Sequence, residues 1–385
     1  MILTDWRTVE APKSPRDLGR GSNGNRRIVT VGLIGCGEVT EFRHLPALQR
    51  VSEIRVVSVA DVERTRRDLV ADRLGIERRY GDAAALLADP GIEAVAVCVP
   101  AELHVEMALA ALDAGKHVLL EKPLALDAGD ADRLSARARG SAAKVILGFN
   151  MRWLRHVREA RSIVRRGLLG PLEMMRTSFT SHYENLSGWR TRRDRGGGVL
   201  FELAVHHFDL WRYLLDTEVE EIVAVSRSRQ WEDETATVMA RLANGVPVVS
   251  VFSERTAATN EIEIFGQAGH LCVSGYHFDG LEVISPASTP GDVRTRLRRA
   301  ANFLGALPSG VFGMRRGGEF LASYEAEWRH FADVIRCDVP VECSVEDGRR
   351  ALDVTLAAIS SASLGRAVKV PPADAQARQD SGGMR

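Results

Sequence analysis

Charge of one sign is missing. The 51 basic side chains are matched by 51 acidic ones, giving a net charge of zero. No bulk field therefore draws the chain toward nucleic acid or an anionic membrane. Long apolar runs are missing too: none approaches the roughly 20 residues that cross a bilayer. The opening MILTDWRTVE lacks the basic-then-apolar pattern of a secretory signal. The five cysteines, Cys36, Cys98, Cys272, Cys337 and Cys343, form no CxxC pair, and an odd number argues against a disulfide framework. There is no internal repeat. These absences predict a globular, reduced, cytoplasmic protein without a metal site.

What is present suffices for two domains with real cores: 385 residues, 45% of them apolar. Residues 1–27 and 372–385 are polar and aperiodic and read as flexible tails. Between them, RIVTVGLI (27–34) is a β-branched run suited to a buried parallel strand. It ends in Gly35-Cys36-Gly37-Glu38-Val39-Thr40 and enters a helical pattern through Phe42, Leu45 and Leu48. Strand, glycine turn and helix is the setting in which GxGxxG carries meaning. Gly35 permits the turn, and Gly37 lets backbone approach a pyrophosphate at the helix start. Thr40 stands where the third glycine belongs, which predicts slightly looser helix–strand packing. A second strand closes at Asp61, 24 residues after Gly37, placed to accept hydrogen bonds from the ribose hydroxyls of NAD. Arg64 and Arg66 follow closely, which keeps NADP open.

The β-α alternation continues to Asn150. It predicts a doubly wound parallel sheet over residues 28–150, with ligands bound at the carboxyl ends of its strands. Pro100, Glu121, Lys122 and Asn150 stand at such ends. Lys122 precedes a proline, is held extended, and suits donation to a substrate oxygen that gains negative charge. From residue 151 to 371 the pattern changes. Helices alternate with a mostly antiparallel set of strands, including a hairpin through Ala243-Asn244-Gly245. An α+β domain is predicted there, with an irregular basic segment at 286–320 carrying a helix over 293–304.

One stretch of that domain organises the functional reading. In GGGVLFELAVHHFD (196–209), three glycines precede an apolar-periodic run. They predict a close backbone approach followed by a helix. On that helix Glu202, His206 and Asp209 share a face at i, i+4 and i+7. An imidazole flanked by carboxylates suits proton transfer near neutral pH. Alone, the same pattern describes a helix with one solvated face. Neighbouring His206 and His207 point about 100° apart on a helix and do not readily share an ion.

With these residues assembled, the chain resembles the glucose–fructose oxidoreductase / inositol dehydrogenase / MocA family of NAD(P)-dependent oxidoreductases over about residues 28–371. The marks are VGLIGCGEVT, VVSVAD, AGKHVLLEKPLAL, GFNMRW, GGGVLFELAVHHFD and the closing EDGRRALDV. The resemblance implies a Rossmann domain followed by an α+β domain whose large, open, mostly antiparallel sheet forms a subunit interface, hence a homodimer or homotetramer. It implies Lys122 of the EKP triplet as the catalytic or substrate-orienting lysine, His206 as the acid/base and a cis Lys122–Pro123 bond. Where many relatives carry aspartate four residues before that histidine, this chain has Glu202. Cofactor contacts are expected from Gly35, Gly37, Glu38, Val39, Asp61, Pro100, His104, Glu121 and Lys122. Substrate contacts are expected from Asn150, Arg152, Trp189, Arg190 and Asp209, with Tyr183 a further candidate. The expected reaction is hydride transfer between nicotinamide and a CH–OH carbon of a sugar, sugar derivative or cyclitol. The rival is a sensor of the same fold that binds dinucleotide and sugar without turnover.

Overall fold

The run VTVGLI forms strand β1 (Val29–Ile34), and its β-branched side chains are buried on both faces of a sheet. In this computed structural model, residues 27–184, 186, 188–288, 292–315 and 317–372 are described. The tails expected at 1–27 and 372–385 lie, except for residues 27 and 372, outside the described residues.

β1 is joined by β2 (Ile54–Ala60), β3 (Arg78–Tyr80), β4 (Ala94–Val97), β5 (His117–Leu120) and β6 (Val145–Leu147) in the order β3-β2-β1-β4-β5-β6. Every pair is parallel. The crossovers are α1 (Leu45–Leu48), α2 (Arg64–Leu74), α3 (Ala83–Leu87), α4 (His104–Asp113) and α5 (Ala128–Arg139). Their ends follow capping chemistry: Asp82 and Asp127 accept backbone N–H groups at the starts of α3 and α5. The strand order reverses between β1 and β4, the place where a doubly wound sheet opens a crevice for ligands.

After α6 (Arg155–Arg165) the chain builds the second sheet. Its strands are β7 (Leu172–His182), β8 (Val219–Arg227), β9 (Thr235–Leu242), β10 (Pro247–Ser253), β11 (Arg255–Gly266), β12 (Gly269–Ser274), β13 (Leu281–Ile284) and β14 (Val368–Lys369). They run in the order β13-β12-β11-β7-β10-β9-β8-β14. All pairs are antiparallel except β7–β10. The sheet's buried face shares a core with α6, α7 (Val205–Leu215) and α10 (Val345–Leu364). The other face leaves Met174, Val225, Met239, Val249 and Val251 exposed.

The helix read at 293–304 runs further, as α8 (Val293–Arg315), through Pro308. α9 (Gly318–Cys337) then returns to the first sheet: Tyr324, Trp328, Phe331 and Ala332 pack with Val29, Val31 and Leu33. The Leu147 amide donates to the Cys343 carbonyl at 2.8 Å, extending the β6 edge. Ser344 and Asp347 then cap α10 reciprocally. The first sheet is thus completed by chain that follows the second.

Candidate active site

The glycine turn comes first. Gly35 has φ +94°, and a Cβ there would lie 2.5 Å from the Cys98 carbonyl oxygen, so only glycine fits beneath the end of β4. At Gly37 a Cβ would meet no described atom within 4 Å. The space above the turn is therefore open, as a pyrophosphate requires. Thr40 replaces the third glycine without a cavity: it is fully buried and its hydroxyl donates to the Gly35 carbonyl at 2.7 Å. The helical segment behind it holds a π-turn at Thr40–His44. Asp61 accepts the Cys36 amide at 2.7 Å on one carboxylate oxygen and the Glu63 amide at 2.8 Å on the other. Each oxygen keeps a lone pair for a ribose hydroxyl. Arg64 and Arg66 are paired with Asp68 and Glu63, at 3.4 and 2.8 Å. These residues fit NAD.

The turn after β5 is held from beneath. The Lys122–Pro123 bond is cis. His104 is buried with Nδ1 at 2.6 Å from the Pro123 carbonyl and Nε2 at 3.0 Å from the Val99 carbonyl. Burial lowers its pKa, so the ring is neutral and its one N–H is donated to the nearer carbonyl, that of Pro123; the ring is packed between the end of β4 and the EKP turn, and its part toward a cofactor is indirect. Glu121 likewise faces inward, 2.9 Å from His44 Nε2 and accepting the Lys122 amide at 3.2 Å. Burial opposes a charged His44, while Cys98 and Glu121 favour it. The Trp328 indole N–H, 3.1 Å from Nδ1, decides the matter. A donor-only group needs the lone pair on Nδ1, so the ring is neutral and its Nε2–H is given to Glu121.

The three glycines before α7 make the expected close approach, and what they approach is protein. A Cβ on Gly197 would lie 2.3 Å from the Arg190 carbonyl oxygen. The segment then opens with a π-turn, Leu200–Ala204, before α7 proper. Glu202 lies in that turn. Lys122 Nζ donates to the Glu202 carbonyl at 3.0 Å and stands 4.0 Å from its carboxylate. Arg190, stacked over the Tyr183 ring at 4.7 Å, lies 3.6 Å from Glu202 and 3.6 Å from Glu38. It links the glycine-turn helix to the π-turn.

His206 is 7% exposed, between the rings of Phe149 and Phe179 with centroids 6.2 Å away on each side. Its Nδ1 has no hydrogen-bond partner among the described residues. Burial, then the Lys122 and His207 charges, hold its pKa well below the usual 6.5. It is a neutral imidazole at physiological pH. His207 points away, stacked on Phe179 and 3.1 Å from Asn260 Oδ1. Burial lowers its pKa to about 4.

Asp209 is not on this face. Asp209 turns inward, 1% exposed, with both carboxylate oxygens on the Arg152 guanidinium. Arg152 also reaches Asp347 at 2.9 Å and the Glu342 carbonyl at 2.6 Å. Arg152 and Asp209 therefore hold each other in the interior instead of lining a cleft for substrate hydroxyls. Asn150, at the end of β6, is 1% exposed and donates to Ser323 at 3.2 Å. Trp189, Val39 and Pro100 are half-buried.

One group beside the site escaped the sequence reading. Glu254, at the end of β10, is fully buried, accepts the Trp231 indole N–H at 2.8 Å on Oε2 and leaves Oε1 unpaired among the described residues. Burial, then the Glu202 charge, push its pKa up to about 7. The only signal was an acidic residue closing an apolar strand.

Comparison with known proteins places this arrangement. Residues 29–149 match the model of an oxidoreductase family with an NAD-binding Rossmann fold, GFO/IDH/MocA, and residues 157–272 match the GFO/IDH/MocA C-terminal domain. The chain is 28% identical to myo-inositol 2-dehydrogenase of Thermotoga maritima, across 88% of this chain and 98% of that protein. It is 33% identical to dTDP-3,4-didehydro-2,6-dideoxy-alpha-D-glucose 3-reductase of Actinomadura kijaniata, across 64% and 75% respectively. The crystal structure of the WlbA dehydrogenase from Bordetella pertussis, in complex with NADH and UDP-GlcNAcA, superposes with a TM-score of 0.76 at 21% identity, across 90% and 99%. The chain belongs to the GFO/IDH/MocA family of NAD-binding oxidoreductases, enzymes of CH–OH chemistry.

Proposed function

We propose that this chain is an NAD-dependent dehydrogenase or reductase of a polyhydroxylated substrate (a sugar, sugar derivative or cyclitol), with His206 as the acid/base. One observation carries the reading: a neutral imidazole whose Nδ1 has no partner among the described residues, next to a lysine held on a rigid turn. Bound NAD supplies the hydride acceptor. In the oxidative direction His206 takes the hydroxyl proton, and in the reductive direction it returns one. The Lys122 ammonium stabilises negative charge on the same oxygen while it is between alcohol and carbonyl. Glu202 positions Lys122, and Arg190 holds Glu202 in turn. Asn150, Trp189 and Arg190 are the candidates for contact with the remaining hydroxyls. The substrate class is supported by the relatives named above, which act on an inositol and on a nucleotide-linked sugar.

Asp61 favours NAD over NADP, since a carboxylate at the ribose repels a 2′-phosphate and both nearby arginines are paired. The exposed apolar face of the second sheet supports self-association into a homodimer or homotetramer.

The test is steady-state turnover with NAD and NADP against a panel of cyclitols, aldoses and nucleotide sugars. Turnover of at least one, with NAD preferred in kcat/KM, is the expected result. Tight NAD binding without turnover of any panel member replaces the enzyme reading with the sensor.

A further inference from the structure

The open face of the second sheet carries a cluster the redox site does not use. Glu263 on β11 and Cys272 on β12 are directly opposed in the strand register, and His270 lies two residues from Cys272 on the same face. A carboxylate oxygen of Glu263, a ring nitrogen of His270 and the Cys272 sulfur lie within 4.8 Å of one another. His270 Nε2 is 3.4 Å from the Cys272 sulfur and 3.5 Å from Glu263 Oε1.

We propose that Glu263, His270 and Cys272 form a binding site for a divalent, borderline-soft metal ion such as zinc, with the fourth position taken by water. Zinc bonds of about 2.0–2.3 Å at tetrahedral angles put ligand atoms about 3.3–3.6 Å apart. The two distances to His270 Nε2 fall at that spacing. The donor set (one carboxylate, one imidazole, one thiolate) suits zinc or cobalt and not calcium or magnesium, which take oxygen ligands.

The surroundings also hold the ligands in orientation. Arg176 donates to Glu263 Oε2, leaving Oε1 to face His270. The Phe265 ring stacks on His270 at 4.0 Å and 14°, fixing the plane of the imidazole. Partners outside the ligand set fix the orientation of the ligands. Glu282 stands opposite Cys272 on β13 and brings a further negative charge. No single sequence motif announces the site: Glu263 is brought in by the register of β11 on β12. The expectation of a chain without metal rested on local spacing alone. The buried face of the same sheet packs on α7, so the ion lies across the sheet from His206 and would act on strand pairing rather than on hydride chemistry.

The experiment uses the full chain, reduced and stripped with chelator, and titrated with cobalt(II). One equivalent should bind, with a near-ultraviolet thiolate-to-cobalt band and the intense visible bands of a four-coordinate ion, and zinc should displace it. Cys272→Ser should abolish the thiolate band, and Glu263→Gln should weaken binding by about tenfold or more. Cys337→Ser, which removes an exposed cysteine, should change neither. Zinc should raise the melting temperature of the unmodified chain and of Cys337→Ser but not of His270→Gln, which covers the case in which Cys272→Ser fails to fold. Absence of a thiolate band in the unmodified chain, or its persistence in Cys272→Ser, overturns the proposal. Loss of the band in Cys337→Ser does so as well.

Discussion

Helix α7 sits between two buried polar clusters built on opposite plans. Arg152 and Asp209 meet edge to edge, and the remaining donors of Arg152 go to Asp347 and the Glu342 carbonyl. Arg152 and Asp209 each have a partner of opposite sign in good geometry. In the cluster of Lys122, Glu202, Arg190, His206 and Glu254, the first three side chains are partly open to solvent, and the buried atoms His206 Nδ1, Glu254 Oε1 and Arg190 Nε have no partner among the described residues. Leaving a buried polar atom unmatched costs about 1–3 kcal/mol. Unmatched atoms of this kind are what polar groups of another molecule can satisfy, in keeping with the function proposed. The difference separates a polar cluster that holds the fold from the one proposed to take a ligand.

That contrast can be broken most sharply at His206. His206→Ala should lower kcat by about a hundred- to ten-thousandfold. Its melting temperature and NAD affinity should stay near those of the unmodified chain, the dinucleotide turn being Gly35–Gly37 and Asp61. Single-turnover hydride transfer beside calorimetry checks this; a variant that loses stability and activity together would make His206 a core residue. The opposite outcome belongs to Asp209. Asp209→Ala leaves the buried Arg152 guanidinium with only Asp347 and the Glu342 carbonyl and should cost about 3 kcal/mol of stability, read by denaturant unfolding.

Glu254 sharpens the comparison through pH. Its pKa is raised from 4.5 to about 7, so the folded state holds a proton that the unfolded state has released across that window. The stability this contributes is complete below pH 4.5 and is lost as pH rises through 7, about 3 kcal/mol in all. Glu254→Gln should remove that decline, as urea unfolding at a series of pH values will register. The smallest effect is expected at Gly37. A methyl group there meets no described atom. Gly37→Ala should therefore leave the melting temperature unchanged and weaken NAD binding by about tenfold, or ~1.4 kcal/mol. A fluorescence titration with NADH measures it. Gly35→Ala, by contrast, should fail to fold.

Much of the first sheet could be read from local pattern, because a parallel strand buried on both faces is a β-branched run and its helices carry caps. The helix over Arg64–Leu74 and the strands His117–Leu120 and Thr235–Leu242 have the ends that periodicity predicts. The short edge strand β3, RRY, was not legible: three residues with two arginines carry no periodicity, and it forms only because β2 offers an edge. The π-turn at Leu200–Ala204 was not legible either. A uniform helix puts Glu202, His206 and Asp209 on one face, whereas the extra residue in the turn shifts Glu202 relative to His206, and the pairing with Arg152 turns the Asp209 side chain inward.

What the sequence by itself determined is therefore whatever is written within one strand–turn–helix unit: the glycine turn, the acidic residue closing β2, the EKP turn and the apolar faces. These depend on backbone conformations and periodicities that a few neighbouring residues dictate. Only the tertiary structure decided which polar groups are spent and which remain. His104 is consumed by the Pro123 carbonyl, Asp209 by Arg152 and Glu121 by His44, while Glu254 arrives beside Glu202 from a strand fifty residues on. A hydrogen bond is satisfied by whatever the fold brings within about 3 Å, and no local pattern carries that distance.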